Sequence, residues 1–293
     1  HRLQHKDGSY VWILARGAAV RDANGKLYRM AGSHIDITSR KKSEQLLRER
    51  DAQLLAAQRI QEKLLPRDEP DVPGFDIAGT VVPAEFAAGD YFDYLRMLND
   101  AVGIVIGDVS GHGFSSALLT FSTCAHLRSF VVDHDDLEEI LQHTNSALCR
   151  ETDDGLFETL LFAKLQPATR TLEYVNAGHP AGLIIDQAGN LKHSLKSSTI
   201  PLGIMADASF QSSEPIQMEV GDIAIFVTDG ILETRSSEGS FFDVEHVLGT
   251  VRGHLHRPSR GIVEAVQEKV RDFAHRQQLR DDVTIVVVKS VAK

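Results

Sequence analysis

The chain has 293 residues, of which 42% are hydrophobic and 25% are charged, so it can bury one large core or two smaller ones. Its net charge of −10 argues against a broad nucleic-acid-binding surface. The longest apolar runs, "AVGIVIG" and "VTIVVV", have the length of strands and are far too short to span a membrane.

The cysteines indicate the cellular compartment that we expect for the protein. Cys124 and Cys149 form no metal-binding spacing, and we expect both to be reduced in a cytoplasmic protein. No signal peptide is recognisable. Because the first residue is His1, we expect either further chain upstream or an artificial boundary of the sequence.

The opening of the chain has the pattern of a β-hairpin. Asp7-Gly8 predicts a turn, β-prone residues follow from Tyr10 to Val20, and "DANG" predicts a turn before the returning strand "LYRMAGSHIDI". Two or three strands do not make a stable domain, so missing sequence, a partner chain or the neighbouring domain must complete this sheet. These residues resemble the C-terminal half of a PAS sensor domain and its Asp-Ile-Thr exit into a signalling helix. We assign residues 1–37 to this partial sheet.

Residues 38–66 predict a long connecting helix. No Gly or Pro occurs from Thr38 to Leu65, and Pro66 marks the end. An imperfect apolar stripe runs along it, formed by Leu46, Leu47, Leu54, Ala57, Ile60 and Leu64. The helix either packs on the domain that follows or, as we favour, forms a dimeric coiled coil that carries a signal from the sensor.

Residues 67–293 predict a separate α+β domain. Strand-like runs alternate with helix-like segments near residues 113–132, 136–151 and 258–278. Hairpin signals such as "QPATRT" and "DQAGN" favour antiparallel sheets over a parallel βαβ arrangement.

Acidic residues interrupt the apolar pattern of this domain in four places. The motifs "AAGDYFDYL", "IVIGDVSGHG", "IAIFVTDGILE" and "RDDVTIVVV" carry Asp90, Asp93, Asp108, Asp229, Asp281 and Asp282. An isolated Asp beside a strand is ordinarily a turn former or a helix cap. Carboxylates gathered at one sheet edge, however, repel one another unless a cation compensates. Hard oxygen ligands without Cys or paired His predict Mg²⁺ or Mn²⁺ rather than zinc.

These motifs, together with "AQRIQEKLLP", "FETLLFAKL", "YVNAGHP" and "PLG", resemble the bacterial metal-dependent protein phosphatases (PPM family) of the stage II sporulation protein E type, which regulate alternative sigma factors. The resemblance covers about residues 58–291. It implies an αββα sandwich, in which two antiparallel sheets are flanked by helices. It also implies a centre of two Mn²⁺ or Mg²⁺ ions held by Asp90, Asp108, the Val109 carbonyl, Asp229 and Asp281, with Asp282 as the alternative to Asp281.

The same resemblance implies hydrolysis of phosphoserine or phosphothreonine by two-metal activated water, under the control of the PAS sensor through the helical linker. The expected partners are a phosphorylated STAS-type anti-sigma-factor antagonist and a second copy of the chain, joined through the linker helix. We expect neither nucleic acid nor a membrane as a partner. The alternative is a catalytically weak phosphatase-fold module that serves as a partner-binding regulatory platform.

Three further polar residues border these motifs. Ser110 is better explained as a turn residue than as a nucleophile, because the hydrolase elbow requires Gly-x-Ser-x-Gly. His112 could donate a proton near the metals, although an exposed turn residue is the more ordinary role for it, and His179 could line the rim of the site; we expect neither to be essential. One departure from the family is Ala88, which precedes Gly89-Asp90 where the family often has a second Gly.

Overall fold

The structure is a computed structural model that describes residues 1–61, 63, 65–66, 68–84, 88–111, 114–151, 155–275 and 279–292, with only the backbone at 54, 56–61 and 114. The chain divides into two compact units, His1–Ala56 and Ala57–Lys293. The domain boundaries after residues 37 and 66 stay predictions. No helix in the described part of the chain is both long and apolar enough to cross a membrane.

The first unit contains an antiparallel three-stranded sheet. Its elements are β1 (Arg2–Gln4), β2 (Tyr10–Arg21), β3 (Leu27–Asp36) and the start of helix α1 (Thr38–Gln61). Asp36 caps the helix by accepting a hydrogen bond from the Thr38 N–H at 2.8 Å, and the Thr38 hydroxyl accepts one from the Trp12 N–H at 2.8 Å. Tyr28 is 79% exposed and its neighbour Leu27 is 53% exposed, so neither face of the sheet is covered within this unit.

Helix α1 begins at the predicted residue, but its predicted seam is only partly visible. Leu46 and Leu47 are exposed. The side chains of Leu54, Ala57 and Ile60, and the whole of Leu64, lie outside the described residues. The coiled coil and the dimer therefore stay predictions.

The second unit is built on two five-stranded sheets. Its strands are β4 (Phe75–Val82), β5 (Asp90–Arg96), β6 (Val102–Val109), β7 (Glu158–Gln166), β8 (Thr171–Ala177), β9 (Gly182–Ile185), β10 (Leu191–Leu195), β11 (Ile216–Gln217), β12 (Ile223–Val227) and β13 (Val283–Ser290), with a 3-10 turn at Leu98–Asp100. One sheet has the order β10-β9-β12-β13-β4 and the other β11-β8-β7-β6-β5. The neighbouring strands pair antiparallel throughout both sheets.

Helices cover the outer faces of both sheets. They are α2 (Phe114–Phe130), α3 (Leu137–Glu151), the short α4 (Asp229–Leu232), α5 (Val244–Arg252) and α6 (Ser259–Phe273). One apolar layer lies between α2, α3 and the β5–β8 strands, and a second lies between α5, α6 and the other sheet. The third layer fills the space between the sheets. The unit is therefore the αββα sandwich that the resemblance implies.

The antiparallel order brings the four acidic places to one edge of the stacked sheets. Asp90 at the start of β5 pairs in register with Asp108 near the end of β6. In the other sheet, Val227 at the end of β12 pairs with Ile285 near the start of β13. Asp229 therefore follows one strand at the same edge at which Asp282 precedes the other.

Candidate metal centre

Asp90 and Asp108 form the buried part of the cluster. Asp90 is 2% exposed, and its Oδ2 accepts hydrogen bonds from the hydroxyls of Thr228 at 2.6 Å and Thr284 at 2.7 Å, which both come from the opposite sheet. Burial and the charge of Asp108 raise the pKa of Asp90 well above its usual range. Burial and the charges of Asp229 and then the Asp281–Asp282 pair raise the pKa of Asp108 to about 7. Without a cation, this pair of acids therefore retains protons at pH values where isolated carboxylates are ionised.

Asp229 joins the cluster from the start of α4. Burial and the charge of Asp281 raise its pKa. The next residue, Gly230, packs directly on the segment that carries the last two acids. A Cβ atom at Gly230 would lie 1.8 Å from the carbonyl oxygen of Asp282 and 3.4 Å from Cβ of Asp281. Glycine is therefore required here for the two chain segments to approach so closely.

The structure distinguishes Asp281 from Asp282. The Asp282 carboxylate accepts hydrogen bonds from the N–H groups of Ala84 at 2.8 Å and Gly89 at 2.7 Å, so each of its oxygens already has a backbone donor. Asp281 accepts a local bond from the Asp282 N–H at 2.9 Å and lines a cleft beside Glu233. Asp282 thus fastens the segment before Asp90. This arrangement favours Asp281 as the ligand.

Gly89 leaves open space beside two of the implied ligand atoms. The Val109 N–H donates to the Gly89 carbonyl at 3.3 Å. A Cβ atom at Gly89 would lie 2.9 Å from the Val109 carbonyl oxygen and 3.4 Å from Oδ1 of Asp108. A side chain would therefore fill the space in which the resemblance places an ion.

The residues of this cluster fit a hard divalent ion in their chemistry. All of the candidate donors are carboxylate or carbonyl oxygens, and a cation would relieve the repulsion that, together with burial, raises the pKa values of Asp90, Asp108 and Asp229. Among the described residues, however, no three Asp, Glu, His or Cys side chains are arranged so that they could hold an ion together. Binding would therefore require carboxylates to turn toward the ion, and the six assigned ligands stay predictions.

Asp93 does not belong to the cluster. It lies three residues after Asp90, so its side chain leaves the opposite face of β5. There its carboxylate accepts a hydrogen bond from Nε of Arg128 in α2 at 2.7 Å. Burial raises the pKa of Asp93, and Arg128 opposes that shift.

The hydrogen bonds of Ser110 and His179, two polar residues near the cluster, are those of structural residues. The Ser110 N–H donates to the Phe157 carbonyl at 2.8 Å, and the Ser110 hydroxyl accepts from the Phe157 N–H at 3.0 Å, as expected of a turn residue. His179 does not line a rim, because it is 3% exposed and its Nδ1 lies 2.9 Å from the Thr159 hydroxyl. Burial lowers the pKa of His179 to about 3, so it is neutral. His112 lies outside the described residues.

Sequence reasoning missed three polar residues around the cluster. Thr228 and Thr284 hold Asp90, and each interrupts an apolar run, in "FVTDG" and "DVTIV". Glu158 is fully buried beside Val109, its partner in the strand register. An acid in the apolar motif "FETLLF" is the signal that could have found it.

The raised pKa of Asp108 predicts a pH-dependent stability in EDTA. The folded protein binds a proton that the unfolded chain releases at lower pH, so this contribution is complete below the ordinary carboxyl pKa and is lost as the pH rises through about 7. Asp108→Asn should therefore be more stable than the wild type at pH 8, by on the order of 2 kcal/mol. Urea unfolding between pH 4 and 8 measures this difference, and a difference independent of pH would contradict the electrostatic account.

Comparisons with known proteins agree with this fold and cluster. Residues 99–291 match the family model described as stage II sporulation protein E (SpoIIE), and residues 1–34 match the PAS fold. The chain is 25% identical over 236 residues to the phosphoserine phosphatase RsbU of Bacillus subtilis, covering 80% of this chain and 68% of RsbU. It is 26% identical over 205 residues to the phosphoserine phosphatase RsbP of the same organism, covering 69% of this chain and 49% of RsbP.

A solved structure shows the same fold. The SiaA-PP2C domain of Pseudomonas aeruginosa superposes with a TM-score of 0.72 at 20% sequence identity, covering 83% of this chain and 97% of that domain. The family match spans more than half of the chain and includes three of the four acidic places. The chain therefore belongs to the stage II sporulation protein E family of PPM-type serine/threonine protein phosphatases, and its N-terminus carries a PAS fragment.

Proposed function

We propose that this chain removes phosphate from phosphoserine or phosphothreonine of a regulatory protein with the help of two divalent ions, Mn²⁺ or Mg²⁺. The observation that carries the proposal is the meeting of Asp108, Asp229 and Asp281 at one sheet edge, where each acid is close enough to affect the protonation of another. The names of the relatives RsbU and RsbP as phosphoserine phosphatases support the same reaction.

The residues of the chain have distinct tasks in this reaction. Bound ions would lower the pKa of water so that, after loss of a proton to solvent, hydroxide could attack phosphorus, and they would neutralise charge on the phosphoryl oxygens. Asp108, Asp229 and Asp281 would hold them, together with Asp90 and the Val109 carbonyl. The hydroxyls of Thr228 and Thr284 fix the orientation of Asp90 through its Oδ2, while the other carboxylates would turn toward the ions. No side chain is needed as a nucleophile.

Exposed apolar side chains in the loop after Leu202, Ile204 at 54% and Met205 at 50%, suit a protein substrate. Leu202, at the start of this loop, pairs with Glu158 through two backbone hydrogen bonds of 3.0 and 2.8 Å. On the other side of the same chain segment, Phe157 accepts a hydrogen bond from the Ser110 N–H. Ser110, residues 157–158 and the start of the loop therefore lie side by side. The buried side chain of Asn145 fastens this loop by accepting from the Gly203 N–H at 2.9 Å and donating to the Met205 carbonyl at 2.8 Å. Neighbouring strands lie about 4.8 Å apart, so the loop lies about 10 Å from Ser110.

The finer assignment concerns the partner and the control of the enzyme. We propose a phosphorylated STAS-type anti-sigma-factor antagonist as the substrate, since the motifs resemble phosphatases that regulate alternative sigma factors. The PAS fragment and helix α1 would carry the controlling signal, and a homodimer would form through that helix. The chain spans about two thirds of the length of RsbU and about half of the length of RsbP.

Loss of one carboxylate should abolish hydrolysis. Wild-type protein with Mn²⁺ should hydrolyse p-nitrophenyl phosphate, and EDTA or Asp229→Asn should lower the rate by about 100-fold or more, because an ion would lose a ligand. Asp222→Asn is the matched control, since Asp222 is buried at the other end of β12 and pairs with Lys192 at 2.6 Å. Activity that survives EDTA and Asp229→Asn would contradict the proposal, and absent wild-type activity would favour a binding platform.

The apolar loop should matter only for a protein substrate. Ile204 is 54% exposed in the loop that follows Leu202, so Ile204→Glu should lower kcat/KM on a serine-phosphorylated STAS-domain protein by about tenfold. The rate on p-nitrophenyl phosphate should not change, because that substrate is too small to reach the loop. Leu191→Glu, on exposed β10, is the control. Equal loss on both substrates would show that the loop does not recognise protein.

A further inference from the structure

Glu158 is a buried acid on the face of the sheet opposite to the carboxylate cluster. It is 0% exposed. Its Oε1 accepts a hydrogen bond from the Tyr91 hydroxyl at 2.5 Å, and its Oε2 accepts one from the Thr123 hydroxyl of α2 at 2.5 Å. Both oxygens are thus held by hydroxyl donors, one from β5 and one from a helix. The carboxyl group therefore connects three elements.

The backbone of β6 is shaped around this contact. Tyr91 reaches Glu158 by passing over Gly107, the residue before Asp108. A Cβ atom at Gly107 would lie 2.6 Å from Cε1 of Tyr91 and 2.8 Å from Oε1 of Glu158. Glycine at this position permits the tyrosine ring and the carboxyl group to lie against the strand. Their packing in turn restrains the strand immediately before Asp108.

Each strand residue in this network adjoins a predicted ligand. Tyr91 follows Asp90 in β5, and Glu158 in β7 is the register partner of Val109 in β6. Side chains of successive strand residues leave opposite faces, so the network lies behind the sheet and the carboxylates lie in front of it. A shift of the network therefore moves the backbone of the ligand residues.

Burying the carboxyl group of Glu158 in this space is unfavourable, because the group loses its hydration. Burial and the charge of Asp108 raise the pKa of Glu158 to about 7. Burial raises the pKa of Tyr91 well above its usual range, so its hydroxyl keeps the proton that it donates. An apolar side chain of similar volume would fill the same space without the cost of burying a carboxyl group. The acid therefore contributes its hydrogen bonds rather than its volume.

We propose that Glu158 is a positioning residue, which holds the start of β5 and the end of β6 in the arrangement that the metal centre needs and connects both strands to α2. The inference rests on the proposed metal centre for its functional meaning. The restraint itself is a property of the protein without metal. It can therefore be tested independently of phosphatase activity.

The first test is hydrogen exchange of the full 293-residue chain in EDTA. Glu158→Val should speed amide exchange in residues 89–95 and 104–110 by about tenfold, and Glu158→Gln, which keeps an acceptor, should have a smaller effect. Asp222→Asn, also a buried acid, should leave these segments unchanged. If Glu158→Val does not fold, Tyr91→Phe and Thr123→Val each remove one hydroxyl and should each speed exchange in the same segments.

The second test is Mn²⁺ binding by calorimetry. Glu158→Val should weaken the binding about tenfold, because the strand ends that carry Asp90 and Asp108 would lose their restraint from behind the sheet, whereas Asp222→Asn should not. Unchanged exchange at both strand ends, or equal effects of Glu158→Val and Asp222→Asn, would overturn the positioning role. Faster exchange in Glu158→Val, together with a wild type that neither binds Mn²⁺ nor hydrolyses phosphate, would instead refute the proposed function and leave the restraint intact.

Discussion

Mutual repulsion among carboxylates at one sheet edge is the constraint on which the second unit depends. Asp108 is affected by the charges of Asp229 and Asp281, and Asp90 by that of Asp108. Like charges in a partly buried place oppose folding unless they are protonated, hydrogen-bonded or balanced by a cation. Hydrogen bonds stabilise two of these acids, Asp90 and Asp282. For the cluster as a whole we propose that bound cations balance the charge.

The hydrogen bonds to Asp90 come from side-chain hydroxyls, and those to Asp282 come from backbone N–H groups. Asp90 belongs to one sheet and its Oδ2 accepts hydrogen bonds from hydroxyls of the other, so this carboxyl group links the two sheets. Asp282 receives backbone donors from the segment that leads into β5. Asp282, which serves structure, and Asp281, which is available to an ion, are thus adjacent in the sequence. They differ in that both carboxylate oxygens of Asp282 already accept hydrogen bonds from distant backbone N–H groups.

The sandwich was implied by the resemblance of the motifs to a known family, and antiparallel strands explain why acids distant in the sequence come to one edge. The sequence pattern did not predict β5, since "DYFDYLR" mixes acids with aromatic residues and lacks a clear apolar run. It also missed α5, where "VEHVLGTVR" carries several β-branched residues and a glycine, which are poor helix formers. Packing of Val247, Leu248 and Val251 against the sheet overrides that local preference.

The side-chain roles were harder to predict than the backbone. Period-two alternation would have separated Asp90 from Asp93 if β5 had been recognised as a strand. Burial of His179 depends on tertiary contacts with Thr159, which lies 20 residues away. Glu158 was missed because local sequence does not reveal that hydroxyls of Tyr91 and Thr123 reach the same carboxyl group.

The most direct measurement is anomalous diffraction at the manganese edge from crystals grown with Mn²⁺. We expect two peaks at the sheet edge, each about 2.0–2.4 Å from oxygen atoms of some of the predicted ligands Asp90, Asp108, Val109, Asp229 and Asp281. Asp282 should keep its bonds to backbone N–H groups. The absence of peaks at this edge, or ions bound elsewhere on the chain, would contradict the central claim.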